Sequence, residues 1–156
     1  MLKKLSKKNN KILDFNPWSQ MGKGMSDYEK GYLGYIKGLQ KSTIPFVVQL
    51  SVFLTTAEFN GCNLSLTDFL KRRYLAGALN KKLPEKMSKK EETMAEAAVE
   101  FSLKMLASKT NIKKKDVTDL IQAGFDNREV VDLCGHLNWS DFITKHANSF
   151  IVFKGM

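Results

Sequence analysis

Two cysteines, two histidines and three prolines are few for 156 residues, and each scarcity closes off a kind of architecture or chemistry. Cys62 and Cys134 stand 72 positions apart, and no apolar run of signal-peptide length follows the N-terminal lysines. They are therefore expected as reduced thiols in a cytoplasmic protein rather than as a structural bridge. Neither cysteine has a Cys or His at zinc-ligand spacing, so no metal is expected. His136 and His146 are ten apart, a spacing that does not stack them on one helical face, and no carboxylate lies at ligand spacing from either. Both are expected as ordinary surface or boundary histidines. No segment approaches the ~18 consecutive apolar residues of a membrane span. No cofactor motif is present.

What the chain does have is an apolar fraction of 43%, enough in 156 residues for one sizeable core and too little length for two ordinary domains. Its formal charge of +9 is concentrated at one end: Lys3, Lys4, Lys7, Lys8 and Lys11 hold five of the 25 basic residues, leaving 20 basic against 16 acidic, a balance of +4. Elsewhere lysine alternates with glutamate, as in Lys89-Lys90-Glu91-Glu92, the pattern of a solvated helix face. Residues 1–25 are expected as a loosely ordered basic arm, pinned in part by Phe15 and Trp18, and residues 26–156 as a single helical domain.

The strong periodicities are all helical. From Asp27, apolar residues at Tyr28, Tyr32, Leu33, Tyr35, Ile36 and Leu39 fall near helical spacing despite Gly31, Gly34 and Gly38. Ile44–Phe59 is nearly all apolar, with Pro45 at the second position; Val47, Val48, Val52 and Phe53 suit a strand, but the length of the run favours a helix. Asn60-Gly61 ends it. Ser65 with Asp68 predicts a capping box for a helix to about Leu79, Asn80–Lys86 a connector, and Ser88 with Glu91 a second capping box before a long amphipathic helix. Lys113–Ala123 predicts a short helix stopped by Gly124, and Asp126 with Glu129 begins the last. Val130, Val131, Leu133, Cys134, Leu137, Trp139, Phe142 and Ile143 give that helix a wide apolar face suited to a core or a subunit contact. The fold class expected is all-α.

The segment Phe59-Asn60-Gly61-Cys62-Asn63-Leu64-Ser65 looks like a helical thiol-redox motif that lacks its second cysteine. A dithiol peroxidase uses one sulfur to attack peroxide and another to displace the oxidised oxygen, so Cys-x-x-Ser cannot close that local disulfide. Two further segments follow in order: Lys115–Phe125, closing in Ala123-Gly124-Phe125, and Asp126–Asn148, containing Asp141-Phe142-Ile143-Thr144-Lys145-His146-Ala147-Asn148. With the Asn-Gly-Cys turn, these resemble the alkylhydroperoxidase D-like and carboxymuconolactone decarboxylase-like families. The resemblance implies an alkylhydroperoxidase D-like helical bundle, a homo-oligomer and peroxidase-related, antioxidant chemistry. It also implies a glutamate, a second cysteine and histidines forming a proton relay. Here Leu50, next to Gln49, stands at the glutamate position, Ser65 at the second cysteine, Phe69 at the later histidine, and Thr144-Lys145 at the family's Asn-Arg pair.

On this reading Cys62 is the candidate peroxide-reducing thiol and Ser65 a candidate hydrogen-bond partner of its sulfur, with an external thiol reductant regenerating it. Ser65 is equally explained as a helix cap, and Cys134 as a core thiol. The N-terminus of the Ser65 helix, Lys71 or Arg72 could favour a thiolate at Cys62. Two other classes remain: a catalytically silent scaffold or ligand-binding protein of the same fold, and a nucleic-acid-binding module using Lys3–Lys11 and Lys71-Arg72-Arg73-Tyr74. No reader motif accompanies those basic residues, so nucleic acid is not the expected partner.

Overall fold

A computed structural model describes Gly31, Gly34, Tyr35, Lys37, Gly38 and residues 41–77, 84–108 and 112–153. The expected basic arm, with Phe15 and Trp18, lies outside the described residues. Among those residues the fold is all-α, with no strand and five delimited helices: α1 (Phe46–Phe59), α2 (Leu64–Gly77), α3 (Lys89–Ser108), α4 (Lys114–Gln122) and α5 (Asn127–Phe153). Gly31, Gly34, Tyr35, Lys37, Gly38 and Lys41 are also helical, in line with the periodicity read from Asp27. No helix among the described residues is long and apolar enough to cross a membrane.

The almost unbroken apolar run of α1 makes it the central helix, since a helix without a polar face must be covered on several sides. It packs most extensively against α3 and then α5. Ile44, Val48 and Val52 meet Met94, Ala95, Ala98 and Phe101 of α3, Leu120 of α4, and Val130, Leu133 and Leu137 of α5 in one core cluster. The hydroxyls buried in this interior are satisfied within their own helices: Thr56, Ser102, Ser140 and Thr144 each bond a carbonyl four residues back at 2.6–2.8 Å. Among residues expected on the apolar face of α5, Val131 and Phe142 are instead exposed. Cys134 is half-buried against the core cluster, as a core thiol would be.

Helix boundaries follow local chemistry, with two departures from expectation. Pro45 is the N-cap of α1 rather than a residue inside it; its carbonyl accepts the amides of Val48 and Gln49 at 2.9 and 3.2 Å. At α2 the expected Ser65–Asp68 box is not formed. Asn63 Oδ1 accepts the Leu66 amide at 2.8 Å, while Asp68 pairs with Arg72 at 2.9 Å and Ser65 is exposed. Asparagine is as good a cap as serine, and it stands one residue before the helix begins. The boxes at Ser88–Glu91 and Asp126–Glu129 do form, each with two reciprocal bonds. Gly61 (φ 74°) and Gly124 (φ 111°) end α1 and α4 in the left-handed conformation, each followed by an amide that bonds a carbonyl five residues back.

The Asn60-Gly61 turn is fastened to α5. Asn60 Nδ2 donates to Asp141 Oδ1 at 2.9 Å and Thr144 Oγ1 at 2.7 Å, and Asn148 Nδ2 donates to the Asn60 carbonyl at 3.1 Å. Because Gln49 also meets His136, α1 and α5 run in the same sense. Replacing Asn60 with alanine leaves Thr144 and Asp141 short of a donor and is expected to cost about 1–3 kcal/mol in urea unfolding. A loss below about 0.5 kcal/mol would mean the turn is held by packing alone.

Candidate functional site

Two places could carry chemistry, and they lie at different levels of the α1–α5 pair. The first is the cysteine read from the sequence. Cys62 follows the α1 turn and is half-buried, its Sγ donating to the Thr144 carbonyl at 3.6 Å. Burial pushes its thiol up to about 11. The charged groups that could have lowered it do not: Arg72 is engaged by Asp68, and desolvation is the sole cause of the shift. Ser65 is exposed and is not the partner of the sulfur; the Thr144 carbonyl is. A protonated thiol donating to a carbonyl is held in its unreactive form.

The second place was not found by sequence reasoning. His136, expected as a surface or boundary histidine, is 2% exposed and stands on α5 facing α1. Its Nε2 lies 2.7 Å from the Gln49 carbonyl, which can only accept, so Nε2 carries the proton. Nδ1 is then the acceptor for the Tyr35 hydroxyl. Both ring nitrogens are satisfied only in the neutral form, and burial lowers the imidazole to about 4. Tyr35 also stacks on Trp139, with ring centroids 3.8 Å apart.

Gln49 completes this group. Its side chain is fully buried, and Nε2 donates to the Ile44 carbonyl at 2.9 Å, which fixes which end of the amide is oxygen. The Oε1 so defined is buried with no hydrogen-bond partner. Tyr35, Ile44, Gln49, Gly135 and His136 border a cavity of about 550 Å³, whose charged residues are Lys41, Arg128 and Asp132. Cys62 is not among the residues lining it. Thr144, which touches Cys62, is eight residues beyond His136, about 12 Å along α5 at the helical rise per residue.

Gly38 and Gly135 also line the cavity, and both are helical. A Cβ placed on either meets nothing within 4 Å. Glycine inside a helix is unfavourable by about 1 kcal/mol relative to alanine, and no close packing at these positions demands it. Both are exposed, so a larger side chain at either has open space beside it.

His136 has no unused nitrogen to serve as a base or a metal ligand, and no cluster of metal-binding side chains exists among the described residues. Gln49 and His136 carried a signal in sequence. Gln49 is the lone side-chain amide in the apolar run of α1, and His136 lies three residues from Leu133 and next to Leu137, on the stripe that faces the core. Among the described residues, fold and site together define a helical protein with a partly open cavity bordered by Tyr35, Gln49 and His136. Comparison of the chain with family profiles, with curated proteins and with solved structures gives no match.

Proposed function

We propose that this is a small-molecule-binding helical protein, in which the thiol position suggested by the resemblance to alkylhydroperoxidase D-like proteins is chemically silent. One observation carries the reading: a cavity of about 550 Å³, within the usual range for ligand sites, is bordered by two helical glycines whose side-chain space is empty. Its border includes Tyr35, His136 and Gln49, joined by hydrogen bonds that hold the imidazole neutral. Peroxide reduction at Cys62 is the competing reading. Partial exposure of the sulfur favours it, and a thiol at about 11 with no base beside it weighs against it.

Substitution at Gly135 tests the cavity. Gly135→Ala is expected to stabilise the fold by about 0.5–1 kcal/mol, because it improves the helix and clashes with nothing. That should raise Tm by roughly 1–4 °C for a domain of this size. Gly135→Leu should fold equally well while filling the void and abolishing binding of small fragments detected by ligand-observed NMR. Fragment binding that persists undiminished in the leucine variant would remove the cavity from consideration.

A further inference from the structure

The cavity is polarised along its length, and the polarity follows from how the chain runs. The Gln49 carbonyl meets His136, and α1 and α5 run in the same sense, so Ile44 lies about 7.5 Å back towards the start of α5. Lys41 and Ser42 precede Ile44 and come nearer still to that end, where Arg128 and Asp132 border the same cavity. On α5, Arg128, Val131, Asp132, Gly135 and His136 fall at helical spacing along one face, over about 12 Å of helix.

The end at Tyr35 and His136 holds no charge: the imidazole is neutral, and both its nitrogens are engaged. Charge is confined to the other end, as the two cations Lys41 and Arg128 against the one carboxylate of Asp132. The ion pairs among the described residues join Arg72 to Asp68, Lys104 to Asp116, Lys115 to Asp119 and Lys145 to Asp141, and none of them neutralises Lys41 or Arg128. Asp132 stands one turn beyond Arg128, at the spacing of an ion pair, and does not close one. Asp126 and Glu129, the other carboxylates at this end of α5, cap the helix through backbone amides and do not border the cavity.

Resting on the cavity reading above, we infer that the ligand is a small amphiphile whose carboxylate meets Lys41 and Arg128 while its apolar body lies along Ile44 and Val131 towards Tyr35. Three probes sharing one ring system test the sign of the charge: indole-3-acetate is an anion at neutral pH, 3-methylindole is neutral and tryptamine is a cation. On the full-length protein at low salt the anion should bind about 5-fold more tightly than the neutral probe, as expected of two solvent-screened cations, and the cation more weakly than either. Backbone NMR shifts at Gln49 and Gly135 place each probe in the cavity.

Lys41→Gln combined with Arg128→Gln should bring the anion-to-neutral ratio close to one without weakening the neutral probe. Lys86→Gln combined with Lys114→Gln removes the same charge away from the cavity and should leave the ratio unchanged; all four residues are exposed, so neither pair of substitutions threatens the core. Asp132→Asn should raise the ratio. Equal affinity for anion and neutral probe, or a ratio that falls as far in the control pair as in the cavity pair, would overturn the carboxylate assignment, and shifts still centred on Gln49 and Gly135 would leave the cavity reading standing. No shift at Gln49 or Gly135 with any probe would overturn both.

Discussion

Lowering the pH from 7.5 to 4 is expected to cost the fold about 3 kcal/mol through His136 alone, as its folded value of about 4 lies well below the reference value of 6.5. The direction follows from proton binding. Between those two values the unfolded chain takes up a proton that the folded protein refuses, so stability is fully present above pH 6.5 and declines as the pH falls towards 4. The refusal has a structural origin: a second ring proton would face the Tyr35 hydroxyl at Nδ1 with no carboxylate to compensate, in a site 2% exposed. Urea unfolding of the unmodified protein and of His136→Gln at pH 7.5, 5.5 and 4 separates this contribution from that of the surface carboxylates. The glutamine variant can still donate to the Gln49 carbonyl, and it should start less stable but lose about 3 kcal/mol less on acidification. Parallel losses in the two proteins would show that the imidazole is not held neutral by the fold.

Alkylation of Cys62 by iodoacetamide at pH 7 is expected to be about 100-fold slower than that of the same cysteine in the denatured chain, because the thiol is raised from 9.0 to about 11. Two pH units reduce the thiolate fraction by two powers of ten, and half-burial adds a steric barrier on top. The rate should keep climbing with pH past 9, with no plateau near neutrality. Treatment with hydrogen peroxide should give no sulfenic acid at Cys62 ahead of Cys134, whose thiol burial also raises. A pH–rate profile that levels off below pH 8, or preferential trapping of sulfenic acid at Cys62, would restore the thiol-peroxidase reading.

The helices were legible in the sequence because their signals are local. The apolar run of α1, the Ser88–Glu91 and Asp126–Glu129 boxes and the glycine stop at Gly124 each act within a few residues. The cap of α2 was misassigned because Asn63 and Ser65 both offer a side-chain oxygen close to the helix start, and only the backbone path decides which one meets an amide. The site was harder to read. Its geometry comes from three segments distant in sequence, with Tyr35 and His136 separated by 101 positions. Cys62 stood out in the sequence by motif, yet its reactivity depends on desolvation and on the Thr144 carbonyl, neither of which a motif contains.

The most direct measurement is two-dimensional NMR of the isotope-labelled protein during titration with indole. Binding in the cavity should shift the backbone signals of Tyr35, Gln49 and Gly135 and the His136 ring nitrogens together, while the signals of Cys62 and Asn63 stay in place. Shifts centred on Cys62, or none anywhere in the α1–α5 pair at saturating indole, would contradict a binding site built over Gln49 and His136.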